Sequence, residues 1–135
     1  MPVDRTHVLA ELRRYFAGRT GDVDAVYLFG SLARGDAHLG SDIDVGVLFR
    51  TAPAATLAGQ PFDMGDELER LLGAPVDVVV LNTAPPDLRI RVLRHGLLAL
   101  EHDRSARIRF EVATRNEYFD LEPILAEYRR ARRTA

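Results

Sequence analysis

Two short runs of this chain hold the residue types that catalysis needs. An apolar run, Val26-Tyr-Leu-Phe-Gly30-Ser31, ends in Gly-Ser, and ten residues later Asp42-Ile-Asp44 opens a second apolar run, Val-Gly-Val-Leu48. Alternate residues of a strand share a face, so Asp42 and Asp44 project together, their Cα atoms roughly 7 Å apart. Paired carboxylates in that geometry can share divalent cations. Gly30-Ser31 stands where a strand gives way to a helix, whose first free N–H groups and positive dipole end suit a phosphate. Metal-binding carboxylates facing a phosphate cradle point to phosphoryl or nucleotidyl transfer. Four fixed positions at this spacing arise by chance in on the order of one such chain in a thousand.

A third carboxylate, Asp77, interrupts an otherwise apolar strand, Pro75-Val-Asp-Val-Val-Val-Leu81. If that strand lies beside Asp42-Ile-Asp44, three carboxylates converge at one sheet edge, and oxygen donors of that kind select hard cations, Mg²⁺ or in its place Mn²⁺. A carboxylate among buried residues needs compensation, which a cation supplies. On position alone, an Asp at a strand mouth that faces water or pairs with Arg is an equally good reading.

The extended pattern Phe29-Gly-Ser-Leu-Ala-Arg34-Gly35…Gly40-Ser41-Asp42-Ile-Asp44 resembles the signature of the DNA polymerase β-like nucleotidyltransferases, and most of all the minimal nucleotidyltransferases. Those are short domains often encoded beside a HEPN partner as antitoxin and toxin. Pro75 to Asn82 is similar to the family's third-carboxylate strand, Leu88 to Glu101 to the helix and short strand after it, and Arg107 to Pro123 to its C-terminal helix. The resemblance implies a metal-dependent enzyme in which Asp42, Asp44 and Asp77 bind Mg²⁺ and Asp77 also serves as general base. Gly30, Ser31, Arg34 and Ser41 are the candidate nucleotide-binding residues. Arg34 is as readily an exposed structural cation, and Ser41 as readily caps the turn before Asp42. The reaction implied is transfer of AMP from ATP to a tyrosine hydroxyl of a cognate HEPN toxin, in a hetero-oligomer. The alternatives are an antitoxin that acts by binding alone, and a nucleotidyltransferase subunit acting on a small molecule, as aminoglycoside-type enzymes do.

The elements that must position these residues follow from periodicity. Val8, Leu9, Leu12, Tyr15 and Phe16 repeat with helical spacing before Gly18. Strands are expected over 24–29, 42–49 and 76–81, with a short helical turn over 31–34 and a loop over 51–60. A helix over 62–72 should turn Leu68, Leu71 and Leu72 inward. Pro85-Pro86 starts another, to about His95, and 97–101 reads as a short edge strand. Asp103 can cap a long C-terminal helix, which Pro123 should kink or restart. The fold class expected is α/β (α+β), a small mixed sheet flanked by helices in one domain over 1–135, with the C-terminal helical segment at about 103–133. Ile108 and Val112 are expected in the core. Ile124, Leu125 and Tyr128, beside Arg129 and Arg130, are expected to meet a partner or a second copy.

Composition sets outer limits. The chain has 135 residues, a net charge of −2 and no cysteine, so it has neither disulfides nor thiol metal sites. No duplex nucleic acid is expected as a partner. No stretch is apolar over a bilayer's thickness, and the N-terminal residues lack a signal-peptide core, which fits a cytoplasmic protein. All 18 basic residues are Arg. The four His have no metal-ligand spacing, and His38 falls in the loop between Gly-Ser and Asp-x-Asp. Arg89 to His95 matches the loose Arg-x(4–6)-His pattern of HEPN ribonucleases. With Arg this frequent such spacings arise by chance, and HEPN domains have no strands.

Overall fold

The structure is a computed structural model that describes residues 4–35, 42–53 and 60–134; of residues 60–62 and 134 it describes the backbone alone. The chain runs α1 (Arg5–Phe16), β1 (Val23–Phe29), α2 (Gly30–Arg34), β2 (Ile43–Phe49), α3 (Gln60–Leu72), β3 (Val76–Val80), α4 (Pro86–His95), β4 (Leu97–Glu101) and α5 (Arg104–Thr134). The sheet has the order β3-β2-β1-β4. β1 pairs antiparallel with β2 and β4, and β2 pairs parallel with β3. Parallel neighbours need a crossover, which α3 supplies.

Strand alternation sorts the side chains into two layers. Ile43, Val45 and Val47 of β2 join Val8, Leu12 and Phe16 of α1 and Met64 and Leu68 of α3 in one cluster. Fully buried side chains of this kind each contribute about 1.5–3 kcal/mol of transfer free energy. Ala25 and Tyr27 of β1 and Leu48 of β2 face the other way and pack with Val92 of α4 and Phe110 of α5. Asp44 alternates with the first set, so it points to the α4–α5 side. Asp77 does the same on β3, where Val76 and Val78 pack with the α1–α3 cluster and Val79 with the opposite one.

Capping follows the chemistry of the ends. The Asp4 carboxylate accepts from the Thr6 N–H at the start of α1, and Asp103 accepts from the Ala106 N–H at 2.9 Å to begin α5. A half-buried polar network then pins α5 to the sheet. The Tyr27 hydroxyl donates to Glu111 at 2.7 Å, and Arg107 bridges Glu111 and Glu101. Burial and the Glu111 carboxylate push the Tyr27 phenol far up, so it stays a donor.

Four expectations are corrected or narrowed. Leu71 is exposed: Met64, Leu68 and Leu72 form the inward stripe of α3, and Leu71 lies at the edge of that stripe, about 60° from its centre. Ile108 and Val112 remain 44% and 49% exposed. Phe110 and Thr114 take the inward side of α5, which leaves that pair on the outside. Pro123 lies inside α5, a single 31-residue helix, so of the kink and the restart expected there the restart does not occur. The proline removes the N–H that would reach the Phe119 carbonyl, one helical hydrogen bond fewer on the exposed side of α5. Asp77 is exposed on the edge strand β3 rather than buried among its neighbours, so it carries no desolvation cost that a cation must offset.

Candidate active site

The parallel register of β2 and β3 sets Asp44 directly beside Asp77. Neighbouring strands lie about 4.8 Å apart and paired residues share a face, so the two carboxylates adjoin. Asp42, two residues before Asp44, is exposed just ahead of β2. The crowding is visible in the titration of Asp44. Burial pushes its carboxyl above the usual carboxylate range, the negative charges of Asp77 and Asp42 push it further, and the Arg34 guanidinium pulls it back. As the side chains stand, no group of three His, Cys, Asp or Glu among the described residues closes around one point at metal-binding distance. Asp42 and Asp77 are exposed, and rotation about their own side-chain bonds is what bringing them to a shared ion requires.

Gly30 follows β1 and opens α2 with a φ of +77°, and lets the chain pass close to Asp44. A Cβ added there would lie 2.1 Å from Asp44 Oδ2. The glycine is needed twice, for its backbone angle and for the space its missing side chain leaves to the carboxylate. Gly35 closes α2 at φ +84° with open space around it. The pair makes a controlled comparison. Gly30→Ala is expected to cost about 1–2 kcal/mol of stability from the left-handed angle. It should also slow transfer on the order of 100-fold, since displacing a reacting group by about 1 Å does that. Gly35→Ala should show a similar loss in thermal melts with transfer unimpaired, as measured by single-turnover kinetics.

A cleft of about 410 Å³ opens beside Asp44. Phe29, Gly30, Ser31 and Arg34 form one wall, and Leu88, Arg91 and His95 of α4 form the other. Four of the sequence-selected residues, Gly30, Ser31, Arg34 and Asp44, thus line one cavity. Asp42 and Asp77 sit on the same side of the sheet outside that lining, and Ser41 and His38 lie outside the described residues. Leu88, Arg91 and His95 were missed. Their spacing, i, i+3 and i+7, puts them on one stripe of a helix, and that was the available signal. Nothing in the sequence says what that stripe faces.

The residues suit a hard divalent cation on the chemistry of the donor set. The site offers carboxylate oxygens, and burial together with the charges of Asp77 and Asp42 raises Asp44, a cost that a bound cation relieves.

Residues 11–105 match the family described as Polymerase beta, Nucleotidyltransferase. No curated protein matches the chain. Among solved structures, one described as a minimal nucleotidyltransferase is 35% identical, with 70% of this chain and 94% of that chain covered and a TM-score of 0.54. A chain of a toxin–antitoxin crystal structure with AMP-PNP is 24% identical, covering 90% of this chain and 96% of its own, with a TM-score of 0.68. A chain from the complex of tri-AMPylated Shewanella oneidensis HEPN toxin with MNT antitoxin is 20% identical, covering 92% and 98%, with a TM-score of 0.67. The last two show the same fold. With its family match over most of the sequence and the 35% identical relative, this chain belongs to the polymerase β-type nucleotidyltransferases.

Proposed function

We propose that this chain is the antitoxin of a HEPN toxin pair and transfers AMP from ATP to a tyrosine hydroxyl of that toxin in a Mg²⁺-dependent reaction. The observation that carries the chemistry is the register of Asp44 beside Asp77, on the face that opens into the Gly30–Ser31 cleft. The partner is supported by similarity in fold to the chains of toxin–antitoxin structures named above, over nine-tenths of the sequence.

Asp42, Asp44 and Asp77 would hold the ion or ions. Mg²⁺ bound there supplies charge neutralisation of the phosphates and lowers the pKa of a nearby hydroxyl. Ser31 donates its hydroxyl to a phosphate oxygen, and Gly30 keeps the backbone close. Arg34 adds positive charge at the same wall. Asp77, exposed and hence reachable from outside the cleft, accepts the proton of the incoming hydroxyl. The bond formed joins that oxygen to the α-phosphorus, the bond broken is α-phosphorus to bridging oxygen, and pyrophosphate leaves.

Exposure on α5 supports a direct binding contribution as well. Phe119, Ile124 and Tyr128 are exposed, and Arg129 and Arg130 follow them. Such aromatic and aliphatic anchors beside Arg are what interface centres favour. Among the described residues no helix is long and apolar enough to cross a membrane.

The test is to incubate the protein with labelled ATP, Mg²⁺ and the product of a neighbouring short, all-helical Arg-x(4–6)-His gene, then to measure intact mass. A gain by the partner of one or more AMP units on tyrosine is expected, with loss of its ribonuclease activity. A complex that silences the partner with no mass change would sink the enzymatic reading and leave inhibition by binding.

A further inference from the structure

The basic residues of α4 divide into two pairs. Arg89 donates to the Asn82 carbonyl and reaches Glu117 at 3.3 Å. Arg94 lies over the Tyr118 ring, 4.8 Å from its centre. The protein itself engages both. Arg91 and His95, one turn apart, instead line the cleft opposite Gly30, Ser31 and Asp44. Among the described residues neither side chain has an ion pair or hydrogen bond. No ion pair ties either of them to the carboxylates, and the cleft they share with Gly30, Ser31 and Asp44 is room for a ligand.

What fills that room follows from the donors. A guanidinium presents a rigid fork that fits two phosphate oxygens, and an imidazole N–H donates to one more. Basic side chains in the last turn of a helix have another use, complementing the dipole. Arg94 and His95 are in that turn, but Arg91 is not.

We propose that Arg91 and His95 form a phosphate-binding arm that takes the phosphate chain of the nucleoside triphosphate from the side opposite Ser31. The assignment rests on the nucleotidyltransferase reading and adds the selection of triphosphate over monophosphate. The chain of phosphates then lies between α2 and α4, with Asp44 at its inner end. Because α4 carries the arm, the turns that fix that helix also fix the register of the phosphates.

The test measures dissociation constants for ATP, AMP and inorganic tripolyphosphate, each with Mg²⁺, for wild type, Arg91→Gln, His95→Gln and the double variant. Apo melting temperatures are measured alongside. Losing charge-assisted hydrogen bonds should weaken ATP and tripolyphosphate on the order of 10- to 100-fold in Arg91→Gln and roughly tenfold in His95→Gln. AMP should change by less than about threefold, and apo melting should be unchanged, as for exposed substitutions generally. Arg91→Lys keeps the charge and should recover part of the affinity, which separates the role from a fault in folding. Equal weakening of AMP and ATP overturns the arm, because the pair then reads the nucleoside. Unchanged ATP affinity with a raised KM for the protein acceptor overturns it too. If ATP binding survives in the double variant but is lost in Asp42→Asn/Asp44→Asn, the arm alone is wrong. If wild type binds neither ATP nor tripolyphosphate, the arm and the nucleotidyltransferase reading fall together.

Discussion

Replacing Asp42 and Asp44 together with asparagine is expected to abolish nucleotidyl transfer while leaving a folded and slightly more stable apoprotein. The substitution keeps size and removes charge. A loss of about three orders of magnitude or more is expected, since deleting single electrostatic stabilisers already costs 10²–10³. The gain in apo stability has a sign that follows from titration. The Asp44 carboxyl is held above its ordinary value in the folded chain. Over the window from about 3.9, the unfolded value, up to that raised value, the folded state binds more protons than the unfolded one. Stability of the wild-type apoprotein therefore falls as pH rises through this window, and the lost increment stays lost above it. Asparagine has no such titration. Apo melts of wild type and variant should diverge with rising pH across the window, with the variant higher at neutral pH. Adding Mg²⁺ and ATP should raise the melting temperature of wild type and leave the variant where it was. A variant that retains the wild-type ligand shift would place the binding site elsewhere.

The parts of the site that depend on strand periodicity were readable in the sequence. Asp42 and Asp44 share a face because strands alternate, and Asp77 joins them because its strand pairs in parallel beside theirs. Gly30 was legible as a point of close backbone approach, although that it clears space for Asp44 Oδ2 is visible only in three dimensions. Arg91 and His95 show where the reading stops. Periodicity identifies Leu88, Arg91 and His95 as one stripe, but whether a polar stripe faces water or a cleft is settled by packing. Val92 and Phe110 decide it by seating α4 and α5 on the sheet face that carries the carboxylates. The same gap explains Ile108 and Val112. Apolar character suggested burial, yet a single helix against a narrow sheet can bury only one stripe, and Phe110 and Thr114 occupy it. For Asp77 the sequence left two readings open, a carboxylate buried in its strand and one at a strand mouth facing water. Its apolar neighbours in sequence implied a buried strand, whereas β3 is an edge with its carboxylate exposed.

That exposure sharpens what Asp77→Ala should do. An exposed residue on an edge strand contributes little to packing, so stability should change by no more than about 0.5 kcal/mol. Nucleotide affinity should also hold nearly steady, because the cleft walls, Gly30, Ser31, Arg34, Arg91 and His95, are untouched. An ATP dissociation constant within about tenfold of wild type is expected, a difference of roughly 1.4 kcal/mol. Turnover should respond differently. Without a group to accept the proton of the incoming hydroxyl, the rate should fall on the order of 10²–10⁴. Binding by calorimetry and single-turnover transfer to the partner separate the two quantities. The contrast with Asp42→Asn/Asp44→Asn is the informative part: that pair should lose the ligand-induced shift, whereas Asp77→Ala should keep it and lose the chemistry. Transfer at the wild-type rate in Asp77→Ala would mean that Asp77 acts only through its charge on Asp44, and that the proton leaves to water.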